Sequence, residues 1–139
     1  MSRKFEKVVA MACSGIGKPY GAVARETVYE LTERVRPGKV VTTCLPLLVM
    51  EDPEARQLVT NNPVITIDGC PKSCALKSVE ALGIKAAKAY EVIRFFKAHK
   101  DLKPEGITEL NEGGKKLAAV SADELAQDVD ELIAGEVKS

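Results

Sequence analysis

Short apolar, β-branched runs alternate with amphipathic stretches along the first hundred residues, and this alternation restricts the fold more than any other feature of the chain. Lys7 to Ala12 reads as a strand running into Cys13-Ser14-Gly15-Ile16-Gly17, whose two glycines permit a tight turn. Between Ala22 and Val35 the positions Val23, Thr27/Val28, Leu31 and Val35 recur at helical spacing, with Arg25, Glu26, Glu30, Glu33 and Arg34 as the wet face. Pro37-Gly38 stops that helix. Lys39 to Thr43 is β-branched and ends in Cys44, and Pro46 prevents a longer central strand. Asp52-Pro53-Glu54 supplies an N-cap, a first-position proline and a first-turn acid, which predicts a helix through Thr60.

Val64 to Ile67 is the clearest strand, and it passes into Asp68-Gly69-Cys70-Pro71. Pro71 opens the next helix, which carries Cys74 and stops at Gly83. Ile84 to Tyr90 is alanine-rich and reads as a weak fourth strand, and Val92, Ile93, Phe95 and Phe96 favour a short helix to Lys100. After Pro104-Glu105-Gly106, the residues Leu117, Val120, Leu125, Val129, Leu132 and Ile133 form a helical stripe, with Asp123, Glu124, Asp128 and Asp130 expected to face water. This is one helix from Glu112 or two, because Ser121 with Glu124 resembles a capping box. The stripe either docks onto the domain or joins a protein partner or a second copy of the chain.

Strands alternating with crossover-length helices predict a three-layer, Rossmann-like α/β domain with a mostly parallel sheet of about four strands and a C-terminal helical extension. With 139 residues, 45% of them hydrophobic, the chain fills one core and not two. Residues 1–100 form the expected α/β metal-binding domain, and residues 101–139 a linker and helical extension packed on it. Twenty basic residues balance twenty acidic ones, so nothing recommends nucleic acid or an anionic membrane surface as partner. The apolar run Leu45 to Met50 is too short to span a bilayer, and the N-terminus lacks the apolar core of an export signal. The expected location is the cytoplasm, where four cysteines point to metal or redox chemistry more than to disulfides.

Right-handed crossovers place the carboxyl ends of parallel strands on one edge, and Cys13, Cys44 and Cys70 each follow a strand. In the order 2-1-3-4, Cys13 is central and flanked by the other two, with neighbouring strands about 4.8 Å apart. Cys74 lies four residues after Cys70, one helical turn above it on the same side. Four thiolates around Zn²⁺, with bonds of about 2.3 Å, must bring their sulfurs to roughly 3.8 Å. Such a site has a net charge of minus two, to be offset by free N–H groups at the helix start, by the loop around Gly15 and Gly17, or by Lys18, Lys72 or Lys77. Asp68 reads as a hydrogen-bond acceptor beside the site and not as a ligand.

Asp68-Gly69-Cys70, Cys74-Ala75 and Cys13-Ser14-Gly15 together resemble the DGC protein family, to which zinc binding is ascribed. The resemblance covers residues 7 to 95, leaves the stretch after Asp101 outside, and implies that Cys13, Cys44, Cys70 and Cys74 are the metal ligands. It names no reaction, so the catalytic residues and the existence of an activity stay open.

Other readings of these residues are weaker. A phosphate loop at Gly15-Ile16-Gly17-Lys18 fails because Ala12 and Pro19 occupy positions that need glycine and Ser/Thr. A cysteine-phosphatase loop fails because the first arginine after Cys13 is Arg25. His99 reads as an exposed helix-end residue, and Phe95 and Phe96 as packing residues. The expected function is therefore a zinc-binding structural or adaptor protein whose first partner is a metal ion. The alternatives are an iron–sulfur protein on the same four thiolates, or a thiol-based redox or sulfur-transfer protein.

Overall fold

The computed structural model describes residues 7–12, 19–43, 50–69, 74–105 and 111–133. Four strands, β1 (Val8–Ala12), β2 (Val40–Val41), β3 (Val64–Asp68) and β4 (Lys88–Glu91), form a parallel sheet in the order β2-β1-β3-β4. Val8 pairs with Val40 on one side of β1, and Val9 to Ala12 pair with Val64 to Ile67 on the other. Val8, Val9, Ala10 and Met11 have no exposed surface, as a parallel strand covered on both faces requires.

The predicted order and the α/β architecture are those observed, with differences at particular elements. β2 is two residues long, not five, and stops three residues before Cys44. As an edge strand it has only β1 to pair with, and β1 meets it only at Val8 and Val9. The fourth strand starts at Lys88 rather than Ile84, because its limits come from pairing with Ile65 to Asp68 of β3 and not from its own composition.

Helix α1 (Pro19–Glu30) already includes Pro19, three residues before the apolar spacing predicts. It continues into a π-helical turn, Leu31–Val35, in which Arg36 N–H reaches Leu31 O at 3.0 Å. Asp52 caps α2 (Pro53–Asn61) as expected, accepting from Ala55 N–H at 3.1 Å. Helix α3 (Cys74–Glu80) is followed by Gly83 at φ +77°, the left-handed stop that glycine accommodates. Helix α4 (Val92–Ala98) follows β4 directly.

The C-terminal stripe is one helix, α5 (Glu112–Ile133), and not two. Ser121 does not cap a second helix: it is buried inside α5, and its hydroxyl donates to Leu117 O at 2.7 Å. Asn111 caps α5, accepting from Gly114 N–H at 2.9 Å while its amide donates to Lys103 O at 3.1 Å. Leu117, Ala118, Leu125, Val129 and Leu132 join the same hydrophobic cluster as β1, β3 and α1, so the stripe docks onto the domain.

The acidic face of α5 is not simply solvated, contrary to its sequence reading. Asp123 and Asp130, seven residues apart on one side of the stripe, pair with Arg34 at 3.2 Å and Arg36 at 2.8 Å. On the other side Glu124 meets His99 Nε2 at 2.8 Å, and Asp128 accepts the Tyr90 hydroxyl. Burial and then the Asp128 hydrogen bond push the Tyr90 phenol upward, so it stays a donor. Phe95 and Phe96 pack as expected, with ring centroids 6.0 Å from Tyr90 and 6.1 Å from Tyr20. No helix among the described residues is long and apolar enough to cross a membrane.

Two outcomes follow from the α5 interface. Leu125→Ala, at a position 1% exposed, is expected to lower unfolding free energy by about 2–5 kcal/mol in urea titration, whereas a loosely attached helix would lose far less. The hydrogen bond from Arg36 holds the Asp130 carboxyl below its ordinary range. As pH falls the unfolded chain therefore takes up that proton first. The contribution of the pair is complete above about pH 4 and fades as pH drops through the lowered folded value. Both side chains are partly exposed, so Asp130→Asn should cost at most about 1 kcal/mol at pH 7, a difference that closes under acid and in high salt.

Candidate functional site

The connection leaves β1 toward β2 in one direction, and the next two crossovers run the opposite way across the sheet to β3 and β4. With right-handed crossovers, this reversal puts α1 on one face and α2 and α3 on the other. In open α/β sheets such a reversal marks the usual ligand position, and here it falls at the carboxyl ends of β1 and β3. The last residues of those strands are Ala12 and Asp68, one residue before Cys13 and two before Cys70.

Of the four candidate ligands, Cys74 lies among the described residues, while Cys13, Cys44 and Cys70 lie outside them. Cys74 heads α3 as an exposed, free thiol, so it is not a buried small hydrophobe. Among the described residues no three His, Cys, Asp or Glu side chains gather as a metal-holding group. His99 sits at the end of α4 against Glu124, part of the α5 interface.

Asp68 ties the two halves of this edge together. The last residue of β3 and 2% exposed, it accepts from Ala75 N–H at 2.8 Å through Oδ1 and from Leu76 N–H at 3.3 Å through Oδ2. One carboxylate thus closes the chain from the end of β3 to the first turn of α3. The sequence reading of Asp68 as an acceptor agrees with this. Those two N–H groups, however, are taken by Asp68 and are not free to offset thiolate charge. Burial first, and then the charge of Glu91 in register on β4, push the Asp68 carboxyl up, while its two N–H donors pull it down.

Gly69 is the residue whose role the sequence reading missed. A Cβ built there would lie 2.5 Å from Gly21 N and Tyr20 C, and 2.6 Å from Tyr20 O. The end of β3 therefore touches the first turn of α1 backbone to backbone, and only glycine fits. Its position between a strand and a cysteine was the available signal, but the neighbour it meets is 48 residues earlier in the chain. Because neither backbone can swing aside, Gly69→Ala should destabilise by about 3 kcal/mol, at the upper end of overpacking costs. Wild-type-like thermal unfolding of that variant would show that the contact is not tight.

The family model of the DGC domain matches residues 9–129. No curated protein and no solved structure matches the chain. The match runs through α5, so the stretch after Asp101, which the motif resemblance left outside, is part of the family's domain and agrees with the docking of α5 into the shared core. Over residues 9–129, which include Asp68-Gly69-Cys70, the chain belongs to the DGC family.

Proposed function

We propose that this protein binds one metal ion, Zn²⁺, through the thiolates of Cys13, Cys44, Cys70 and Cys74, and that the ion serves a structural or adaptor role. The observation that carries this reading is the strand order. β2, β1 and β3 are adjacent and parallel, so the segments leading to Cys44, Cys13 and Cys70 leave the sheet side by side from one edge. Cys13, Cys70 and Cys44 follow their strand ends by one, two and three residues. An extended chain covers at most about 3.6 Å per residue, which gives reaches of about 4, 7 and 11 Å between strands about 4.8 Å apart. Val41 is in register with Val9, so an extended segment to Cys44 reaches only the level of Ala12, one residue below Cys13, and the cysteine side chains must span the remaining gaps between adjacent strands.

The fourth donor fits the same edge. Asp68 fixes the start of α3 to the end of β3, and Cys74 is the residue before Ala75, whose N–H that carboxylate holds. An exposed thiol without a disulfide partner is also the state a ligand needs before an ion arrives. Four thiolates close the zinc shell and leave no position for an activated water, which favours a structural ion over a hydrolytic one. The ion would supply a cross-link between loops after three strands, and stability would become metal-dependent.

Exposure of Cys74 at a helix head also favours a second reading, a thiol or sulfur-transfer protein with one reactive cysteine. Metal content and the absorption spectrum of anaerobically purified protein separate the possibilities. One zinc per chain without visible absorbance is expected. A brown, iron-containing protein would replace zinc by an iron–sulfur cluster on the same thiolates, and a metal-free folded chain would overturn the metal reading. Cys13→Ser should lower metal occupancy and melting temperature together, while His99→Gln should leave occupancy unchanged. Iodoacetamide labelling of metal-depleted protein tests the second reading, which predicts one cysteine reacting well ahead of the rest.

A further inference from the structure

The bond from Asp68 to the start of α3 has a consequence for how the proposed site assembles. It is made entirely by protein groups: a buried carboxylate with Ala75 N–H at 2.8 Å and Leu76 N–H at 3.3 Å. The residue after Asp68 is fixed too, because Gly69 is seated against the Tyr20–Gly21 backbone of α1. Gly69 is therefore held by steric contact and the residues following Cys74 by a two-bond cap, and neither needs an ion.

We infer that Asp68 is a positioning residue for metal binding. It holds Cys74 at the carboxyl edge before the ion arrives, so that the β3–α3 side of the site is preformed. This rests on the metal reading above and assigns Asp68 a part in it without making it a ligand. Both carboxylate oxygens already face N–H donors, so a role as ligand would require giving up the cap. The preformed side spares the ion the cost of ordering Cys74, and that saving appears as affinity.

The test is a Co²⁺ titration followed by Zn²⁺ competition against a chelator, on the full chain and on Asp68→Ala and Asp68→Asn. Circular dichroism of the metal-free proteins confirms folding. Removal of a hydrogen-bonding group that orients a ligand typically weakens metal binding about 10–100-fold, and Asp68→Ala should fall in that range. At saturation its Co²⁺ bands should match those of the wild type, because the donor set is unchanged. Asp68→Asn retains one acceptor oxygen and presents an amide NH₂ to the other N–H, so its affinity should lie between the two. A purely structural role would not produce this graded rescue of affinity in variants that are equally folded.

Equal affinity in wild type and Asp68→Ala would overturn the inference, and so would shifted Co²⁺ bands, which would make Asp68 a ligand. If the alanine variant does not fold, Asp68→Asn decides alone: weaker binding with unchanged bands supports the role, and wild-type affinity refutes it. A wild-type chain that takes up neither Co²⁺ nor Zn²⁺ refutes the metal reading itself. That result differs from failure of the Asp68 inference alone, in which wild type binds and the variants bind equally well.

Discussion

The fold depends on β1 having a partner on both sides and a helical layer on both faces. Val9 is where three strands meet, aligned with Val41 of β2 and Val64 of β3. Every side chain from Val8 to Met11 is fully buried, so the strand cannot alternate polar with apolar residues and reads as an unbroken apolar run. The same strand is where the chain changes direction across the sheet. Burial of β1 and the reversal of direction at its carboxyl end are thus two results of one topology, because helices must cross on both faces to cover the strand.

Helix α5 completes one of these layers by two different kinds of contact. Its apolar stripe from Leu117 to Leu132 lies in the common core and contributes most of the binding energy. The acids on either flank are worth much less individually, since Asp123, Glu124 and Asp130 are at least half exposed or close to it. Their spacing sets the rotation of the helix instead. Asp123 and Asp130 reach the π-helical turn and the arginine after it, Glu124 reaches the end of α4, and Asp128 reaches Tyr90 of β4. A helix turned about its axis would lose both flanks at once. The Asp128 contact differs from the others, because the half-buried Tyr90 hydroxyl would lose an acceptor in a partly desolvated place.

Local chemistry made much of this legible from the chain alone. Asp52-Pro53 announces α2, the β-branched run after Pro63 announces β3, and Gly83 marks the stop after α3, because each signal acts within a few residues. Parallel strands share a carboxyl edge in any order, so the order 2-1-3-4 was a supposition that puts Cys13 in the centre, and the observed sheet has that order. What escaped was set by distant partners. Lys88-Ala89-Tyr90-Glu91 has no β-branched residue and is a strand because β3 offers it a free edge. Arg34 finds Asp123 across 89 positions, and nothing near either residue marks the pairing. At the candidate site, Asp68 was recognisable as an acceptor because its position before a helix start is a local cue. The fit of Gly69 against α1 was not recognisable, since steric exclusion by a remote backbone leaves no trace in neighbouring residues.

The proposed ion would answer a local charge at the edge where β3 ends. Asp68 and Glu91 are aligned on neighbouring strands there, and the two helix N–H groups best placed to compensate them are already bonded to Asp68. Any thiolate formed nearby would add negative charge where the available dipoles are spent. A divalent ion reverses the balance, because each Zn–S bond replaces a proton and the ion's charge is shared among all the donors. Ion uptake in the proposed site would therefore release protons. On α3 itself the nearest cation after Cys74 is Lys77, three residues on and exposed to solvent, where screening weakens its hold on the buried Asp68.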